Sequence, residues 1–185
     1  MATLYQVVPE MVAKPMGWGT FASMEDTHFV LCKYHDMSDD IPRKDFTALV
    51  ADMHRRGVSP NGKFGNPNVT FGGRNPQLFP VTDTWEECFI HGMKAIFAAE
   101  KQTQGPDEEL EYLEQAMIDQ VFPRLLRALE TGDRKIVPRL VHGDLWEGNT
   151  SVDRATGSPM IFDATPLYAH NECKYPSIAV EPFRV

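Results

Sequence analysis

Leu140 to Asn149 reads LVHGDLWEGN, and beyond it lie two β-like pieces, Thr150 to Asp153 and Pro159 to Asp163, joined by a Gly-containing turn from Arg154 to Ser158. The pattern predicts a β-hairpin. Such a hairpin folds Asp163 back alongside the loop that bears Asp144 and Asn149, so that three oxygen-bearing side chains converge. Two carboxylates and an amide oxygen are hard ligands of the kind that Mg2+ takes, and a carboxylate can also accept a proton. A lone His-Gly-Asp is equally well read as a turn with an Asp cap. The reading gains its weight from Trp146, Asn149, the hairpin and Asp163 standing together with it.

Phosphoryl transfer from ATP asks a protein to hold Mg2+ with oxygen ligands, to orient the acceptor hydroxyl and to take its proton late in the reaction. The loop HGDLWEGN resembles the H-G-D-x-x-x-x-N loop of kinase-like small-molecule phosphotransferases, and its Leu-Trp pair is similar to that of the fructosamine (ketosamine) kinase family. The resemblance implies Asp144 as catalytic base, Asn149 and Asp163 as Mg2+ ligands, His142 as a brace of the loop counted with the substrate-binding residues, and Trp146 as a wall of the sugar pocket. Lys14 to Gly19 with the run Thr27 to Tyr34 resembles the segment leading into the family's hinge, where backbone groups near Lys33, Tyr34 and His35 would bind adenine. Ser59 to Gly65 and Tyr168 to Glu172 resemble two further family segments. The implied cofactors are ATP and Mg2+, and the implied substrate is a ketosamine, free or on a glycated protein.

The departures are as informative. This fold grips ATP with a Gly-rich strand-turn-strand and a Lys paired to a Glu, and no such set stands upstream of Thr27; the Gly72-Gly73 pair comes after the hinge and is in the wrong order to substitute. The expected architecture is therefore α+β and protein-kinase-like, mainly the helical C-terminal lobe with a hinge strand and a catalytic hairpin, the N-terminal lobe largely absent. It occupies 1–172 as an incomplete domain, with a tail over 173–185. Apolar surface around the hinge strand and the first residues is expected to be exposed and to favour self-association. The alternatives are a catalytically inactive kinase-derived binding module and, within the same chemistry, a choline- or aminoglycoside-type kinase.

Elsewhere the reading is of local elements. Thr27 to Tyr34 predicts a largely buried strand. Pro42 to Arg56 predicts a helix with Phe46, Leu49, Val50 and Met53 on one face and Gly57 as its cap. Ser59 to Pro80, rich in Gly, Pro and Asn, predicts a long loop. Thr84 to Lys101 predicts a second helix, capped by Thr84 or Asp83. Asp107 to Thr131 predicts a third, acidic in its first turn, closed by Gly132 and kinked or divided at Pro123. Trp18 and Trp85 are expected in the core, and His28, His35, His54 and His91 form no metal-ligand spacing.

The 185 residues are 42% apolar and 24% charged, ordinary values for one globular domain. A net charge of −8 without a compensating basic block argues against nucleic acid. No stretch reaches the roughly 18 apolar residues of a membrane span, and nothing at the N-terminus marks secretion, so the expected location is cytoplasmic. Cys32, Cys88 and Cys173, odd in number and far apart, read as free thiols.

Overall fold

The computed structural model describes residues 1–24, 26–40, 46–73 and 75–173. In chain order the elements are helix α1 (Ala2–Val7), strands β1 (Pro15–Thr20), β2 (His28–Cys32) and β3 (Met37–Ser38), helix α2 (Phe46–Arg56), and strands β4 (Thr70–Gly72) and β5 (Asn75–Gln77). They continue with helices α3 (Trp85–Gln104), α4 (Glu108–Ala116) and α5 (Phe122–Leu126), then strands β6 (Arg139–Val141), β7 (Thr150–Asp153), β8 (Pro159–Ile161) and β9 (Leu167–Ala169). These fall into two compact units, one of 1–56 with 142–166 and one of 57–141 with 167–173.

In the first unit the predicted hairpin is present: β7 and β8 pair antiparallel with Thr150 opposite Ile161, and β3 adds a third strand against β7. The second strand stops at Ile161, short of Asp163. Leu4, Val8, Met11 and Val12, at the spacing of a helical stripe, are buried with Val50, Met53, Met160 and Ile161. The amide of Ile161 donates to the Met11 carbonyl (2.8 Å), which ties this N-terminal stripe to the hairpin. Helix α2 ends as expected at Arg56, whose guanidinium pairs with Glu10 and Asp52; the predicted start at Pro42 lies outside the described residues.

Two expectations fail here. Strand β2 forms, but it is exposed along four of its five residues, and Trp18 on β1 is 75% exposed. The reason is that, among the described residues, β1 and β2 pair only with each other, Trp18 opposite Val30, in a two-stranded ribbon. A β-branched run identifies a residue's fit to a pleated surface, not the presence of a layer to cover it. The apolar exposure expected around the hinge is there, in Met16, Trp18, Val30, Leu31 and Tyr34.

The second unit is built on an aromatic chain. Phe64, Trp85, Phe89 and Phe122 stand with ring centroids 5.9, 5.5 and 5.1 Å apart, within the range where tilted and edge-on contacts are favourable. Helix α3 begins where expected: the Thr84 hydroxyl accepts from Glu87 N–H (3.2 Å), and the Glu130 carboxylate accepts from Trp85 N–H (2.9 Å) and Glu86 N–H (3.2 Å). Four amides at a helix start lack intrahelical partners, and an acid there also suits the dipole. Asp107 is the N-cap of α4, accepting from Leu110 N–H (2.9 Å), and so stands just ahead of the first turn that it was expected to share.

Pro123 divides the third predicted helix. It has no N–H to give Asp119, and its ring crowds that carbonyl. The chain responds by widening: 117–121 form a π turn in which Phe122 N–H reaches back to Met117 O, and α5 follows. The segment Ser59 to Pro80 is not the structureless loop expected, because β4 and β5 pair within it and Gly65 exchanges both backbone hydrogen bonds with Tyr168 (2.7 and 3.1 Å). Among the described residues no helix is long and apolar enough to cross a membrane.

Phe122→Ala should cost about 3–5 kcal/mol, as loss of a buried aromatic does, whereas Tyr112→Ala, at a site 74% exposed, should stay within about 0.5 kcal/mol. Urea denaturation of the two variants measures this, and equal losses would deny the aromatic chain its place as the core.

Candidate active site

The residues singled out in the loop and hairpin all lie in the first unit, so their mutual geometry can be built directly. His142 follows β6 and is 2% exposed. Its Nδ1 accepts from Asp144 N–H (3.3 Å) and its Nε2–H donates to the Phe162 carbonyl (3.0 Å). Those two bonds fix the tautomer, with the proton on Nε2. The carbonyl of His142 accepts from Thr165 N–H (3.0 Å). One buried ring therefore ties the loop to the residue immediately before Asp163. Both ring nitrogens of His142 are thus engaged by the chain.

Burial pushes the His142 pKa down to about 4, against the pull of the Phe162 carbonyl and of the Asp144 and Asp163 carboxylates, which both favour its charged form. Asn149, buried, donates its Nδ2 to the Asp144 carbonyl (2.8 Å) and to Asp144 Oδ2 (3.0 Å), and its own carbonyl accepts from Phe162 N–H (3.1 Å). The amide nitrogen is spent on orienting Asp144. This leaves Asn149 Oδ1 and Asp144 Oδ1 without a donor among the described residues.

Asp163 is exposed and has φ 56°, one of two non-glycine residues with positive φ among those described. Such a conformation is costly for an L-residue and is concentrated at functional positions. Here it turns the chain directly after Phe162, whose amide and carbonyl are both held by the loop. Gly143, at φ 84°, passes so close to Thr165 that a Cβ would overlap its carbonyl oxygen and hydroxyl. The Thr165 hydroxyl is buried with no hydrogen-bond partner among the described residues. Neither Phe162 nor Thr165 carried a sequence signal, since a backbone contact and an apolar-looking Asp-Ala-Thr-Pro run have no motif of their own.

Trp146 is 41% exposed and lies over Gly148, at the start of the 3-10 turn Glu147–Asn149. It offers a partly open aromatic face beside Asp144. Of the hinge residues, Lys33 gives its N–H to the Lys14 carbonyl (2.8 Å), while the backbone groups of Tyr34 and His35 make no backbone hydrogen bond among the described residues. The His35 ring donates from Nδ1 to Asp153 Oδ2 (2.6 Å), fastening the segment after β2 to the hairpin. The His35 imidazole, followed by the amides of Ala155 and Thr156, holds the Asp153 carboxyl below the usual carboxylate range.

The donor set fits a hard divalent cation. Among the described residues no three His, Cys, Asp or Glu side chains stand together as a metal site, so an ion would rest on the Asn149 amide oxygen and the Asp163 carboxylate and fill its other positions with water or phosphate oxygens. That is the manner in which Mg2+ is commonly held.

Two consequences are measurable. His142 is neutral when folded and titrates lower there than in the unfolded chain, so the stability that it contributes is intact above pH 6.5 and is lost as pH falls toward 4. Urea denaturation at pH 7 and pH 4.5 should show wild type losing about 2–3 kcal/mol more than His142→Gln; parallel losses would remove the buried imidazole as the cause. Gly143→Ala should destabilise by about 3 kcal/mol or more through overlap and backbone strain, and a thermal midpoint unchanged from wild type would contradict the close approach to Thr165.

The fructosamine kinase family model matches residues 1–180 of the chain. A protein-ribulosamine 3-kinase of rice, chloroplastic by name, is 32% identical over 158 residues, covering 85% of this chain and 42% of that protein. A mouse ketosamine-3-kinase is 35% identical over 112 residues, covering 60% of this chain and 33% of the mouse protein. A solved structure from Haemophilus somnus, provisionally designated a fructosamine-3-kinase, superposes with a TM-score of 0.62 at 18% identity, over 92% of this chain and 54% of its own. The chain thus spans less than half the length of these curated relatives, and the structural likeness supports the kinase-like fold. On the match along nearly its whole length, the chain belongs to the fructosamine kinase family.

Proposed function

We propose that the loop of Asp144 and the hairpin that carries Asp163 form the phosphoryl-transfer centre of a ketosamine kinase, acting on a sugar hydroxyl of a ketosamine that is free or attached to a glycated protein. The observation that carries this reading is the bond from Asn149 Nδ2 to Asp144 Oδ2 (3.0 Å), made while the Asn149 carbonyl holds Phe162 N–H (3.1 Å). One side chain thus aims the carboxylate and pins the residue ahead of Asp163.

In this reading Asp144 presents its free Oδ1 to the acceptor hydroxyl and takes its proton as the new O–P bond forms and the bond from the γ-phosphorus of ATP to the departing ADP breaks. Asn149, locked by its own amide nitrogen, turns its oxygen outward together with the Asp163 carboxylate to hold Mg2+. Mg2+ so held supplies neutralisation of the charge on the transferring phosphate. The Trp146 face offers the apolar side of a sugar ring a surface to rest on, and the Tyr34 and His35 backbone groups suit the adenine of ATP. Since this chemistry depends mainly on positioning and charge, the His142 brace contributes through the register of the loop, without touching the reacting atoms.

The test is 31P NMR of the chain incubated with ATP, Mg2+ and a ribulosamine or fructosamine of lysine. A new phosphomonoester resonance should form, and Asp144→Asn should slow it by about 100- to 10,000-fold, the range for loss of a general base. Turnover unaltered in that variant would exclude Asp144 as base. Saturable ketosamine binding without turnover in wild type would instead assign the chain to a non-catalytic binding module.

A further inference from the structure

The segment that follows β2 is laced to the β7–β8 hairpin, entirely within the first unit. His35 Nδ1 donates to Asp153 Oδ2 (2.6 Å), and the two side chains are 17% and 8% exposed. Asp153 Oδ1 meanwhile accepts from Ala155 N–H (2.8 Å) and Thr156 N–H (3.2 Å), so one carboxylate closes the turn of the hairpin and holds the imidazole at once. Three further ties follow in order. Arg154 N–H donates to the Asp36 carbonyl (2.8 Å), Met37 pairs opposite Asp153, and the Ser151 hydroxyl donates to the Ser38 carbonyl (2.5 Å).

The ties at Asp36, Met37 and Ser38 engage main chain. That of His35 engages only the ring, and the main chain of Tyr34 and His35 makes no backbone hydrogen bond among the described residues. Main-chain donors and acceptors fixed through a side chain are placed and yet unspent, which suits them to a hydrogen-bonded ligand. The bond that fixes them runs from an imidazole to a carboxylate, and a charged acceptor makes it stronger than a bond between neutral groups.

The closed end of the hairpin thus carries the hinge, while its open end carries Asn149 and Asp163. Strand β7 takes the chain from Asn149 to Asp153, about 13 Å at about 3.3 Å per residue. The base and the terminal phosphate of an outstretched nucleoside triphosphate stand a comparable distance apart.

We propose that His35 and Asp153 are positioning residues for the nucleotide: their bond seats the Tyr34 and His35 main chain at the closed end of the hairpin, so that β7 sets the interval between the adenine and the end that holds Mg2+. This rests on the reading that those backbone groups meet adenine.

Amide NMR on the whole chain, titrated with adenosine without Mg2+, tests it. In wild type, adenosine should shift the Tyr34 and His35 amides saturably. His35→Ala leaves the Asp153 turn bonds in place and should weaken adenosine by about threefold or more; His35→Asn, whose side-chain amide can still donate to Asp153, should recover most of that loss. Asp153→Ala should weaken adenosine as well, and adding His35→Ala to it should weaken it no further. In His35→Ala the Ile161 and Phe162 amides, bonded to the Met11 and Asn149 carbonyls, should keep their wild-type protection from hydrogen exchange. Adenosine bound equally by wild type and His35→Ala overturns this inference and leaves the hinge reading standing. No saturable shift at Tyr34 and His35 in wild type overturns both. Loss of adenosine together with loss of protection at Ile161 and Phe162 would reduce the pair to a structural tie and overturn its positioning role.

Discussion

The imidazole of His142 accepts a hydrogen bond from its own loop and donates one to the strand end that precedes Asp163, with almost none of its surface in water. Everything catalytic in the proposed reading is referred to that ring. A charged imidazole would be a donor at both nitrogens and could no longer accept the Asp144 amide. Burial therefore does more than fill space, because it keeps the ring in the one protonation state that can bridge both chains. Asn149 repeats the device a few residues later, with an amide nitrogen turned inward to the Asp144 carbonyl and carboxylate.

Around this bridge the chain accepts local strain. Asp163 at φ 56° and Gly143 at φ 84° lie on the two chains that His142 joins, and the Thr165 hydroxyl, buried against Gly143, has no hydrogen-bond partner among the described residues. An unsatisfied buried hydroxyl and a left-handed Asp are each unfavourable, and they are kept where the bonds of His142, Asn149 and Thr165 over-determine the backbone. The same unit has its strong local stripe at Leu4, Val8, Met11 and Val12, bonded through the Met11 carbonyl to β8, so the hairpin bearing the site has a packed support of its own.

What was legible in the sequence was whatever rests on short-range pattern. The hairpin, the cap at Thr84, the interruption at Pro123 and the convergence around Asp144 and Asn149 all follow from residues close together in the chain. What was not legible depended on neighbours. Whether β2 is covered is decided by which strands lie beside it, and its run of Phe, Val and Leu is the same in either case; hence Trp18 was assigned to a core that does not enclose it. The α1 stripe was readable at its spacing but is cut by Pro9 after barely two turns. The short pairing of β4 with β5 was hidden in a segment whose Gly, Pro and Asn content signals turns. The brace at Phe162 uses only backbone atoms, which no motif records.

The widened turn at 117–121 uses one more residue per hydrogen-bonded loop than its surroundings. An α-helix advances about 100° per residue, so the turn sets the angular phase between the α4 face upstream and Phe122 downstream. Lys101 of α3 meets Glu111 and Glu114 of α4 at 3.0 and 3.9 Å in that phase. Chain length in this stretch is therefore a steering variable: a homologue one residue shorter there, able to close an ordinary α turn, would present a different side of α4 while leaving the aromatic chain seated as before.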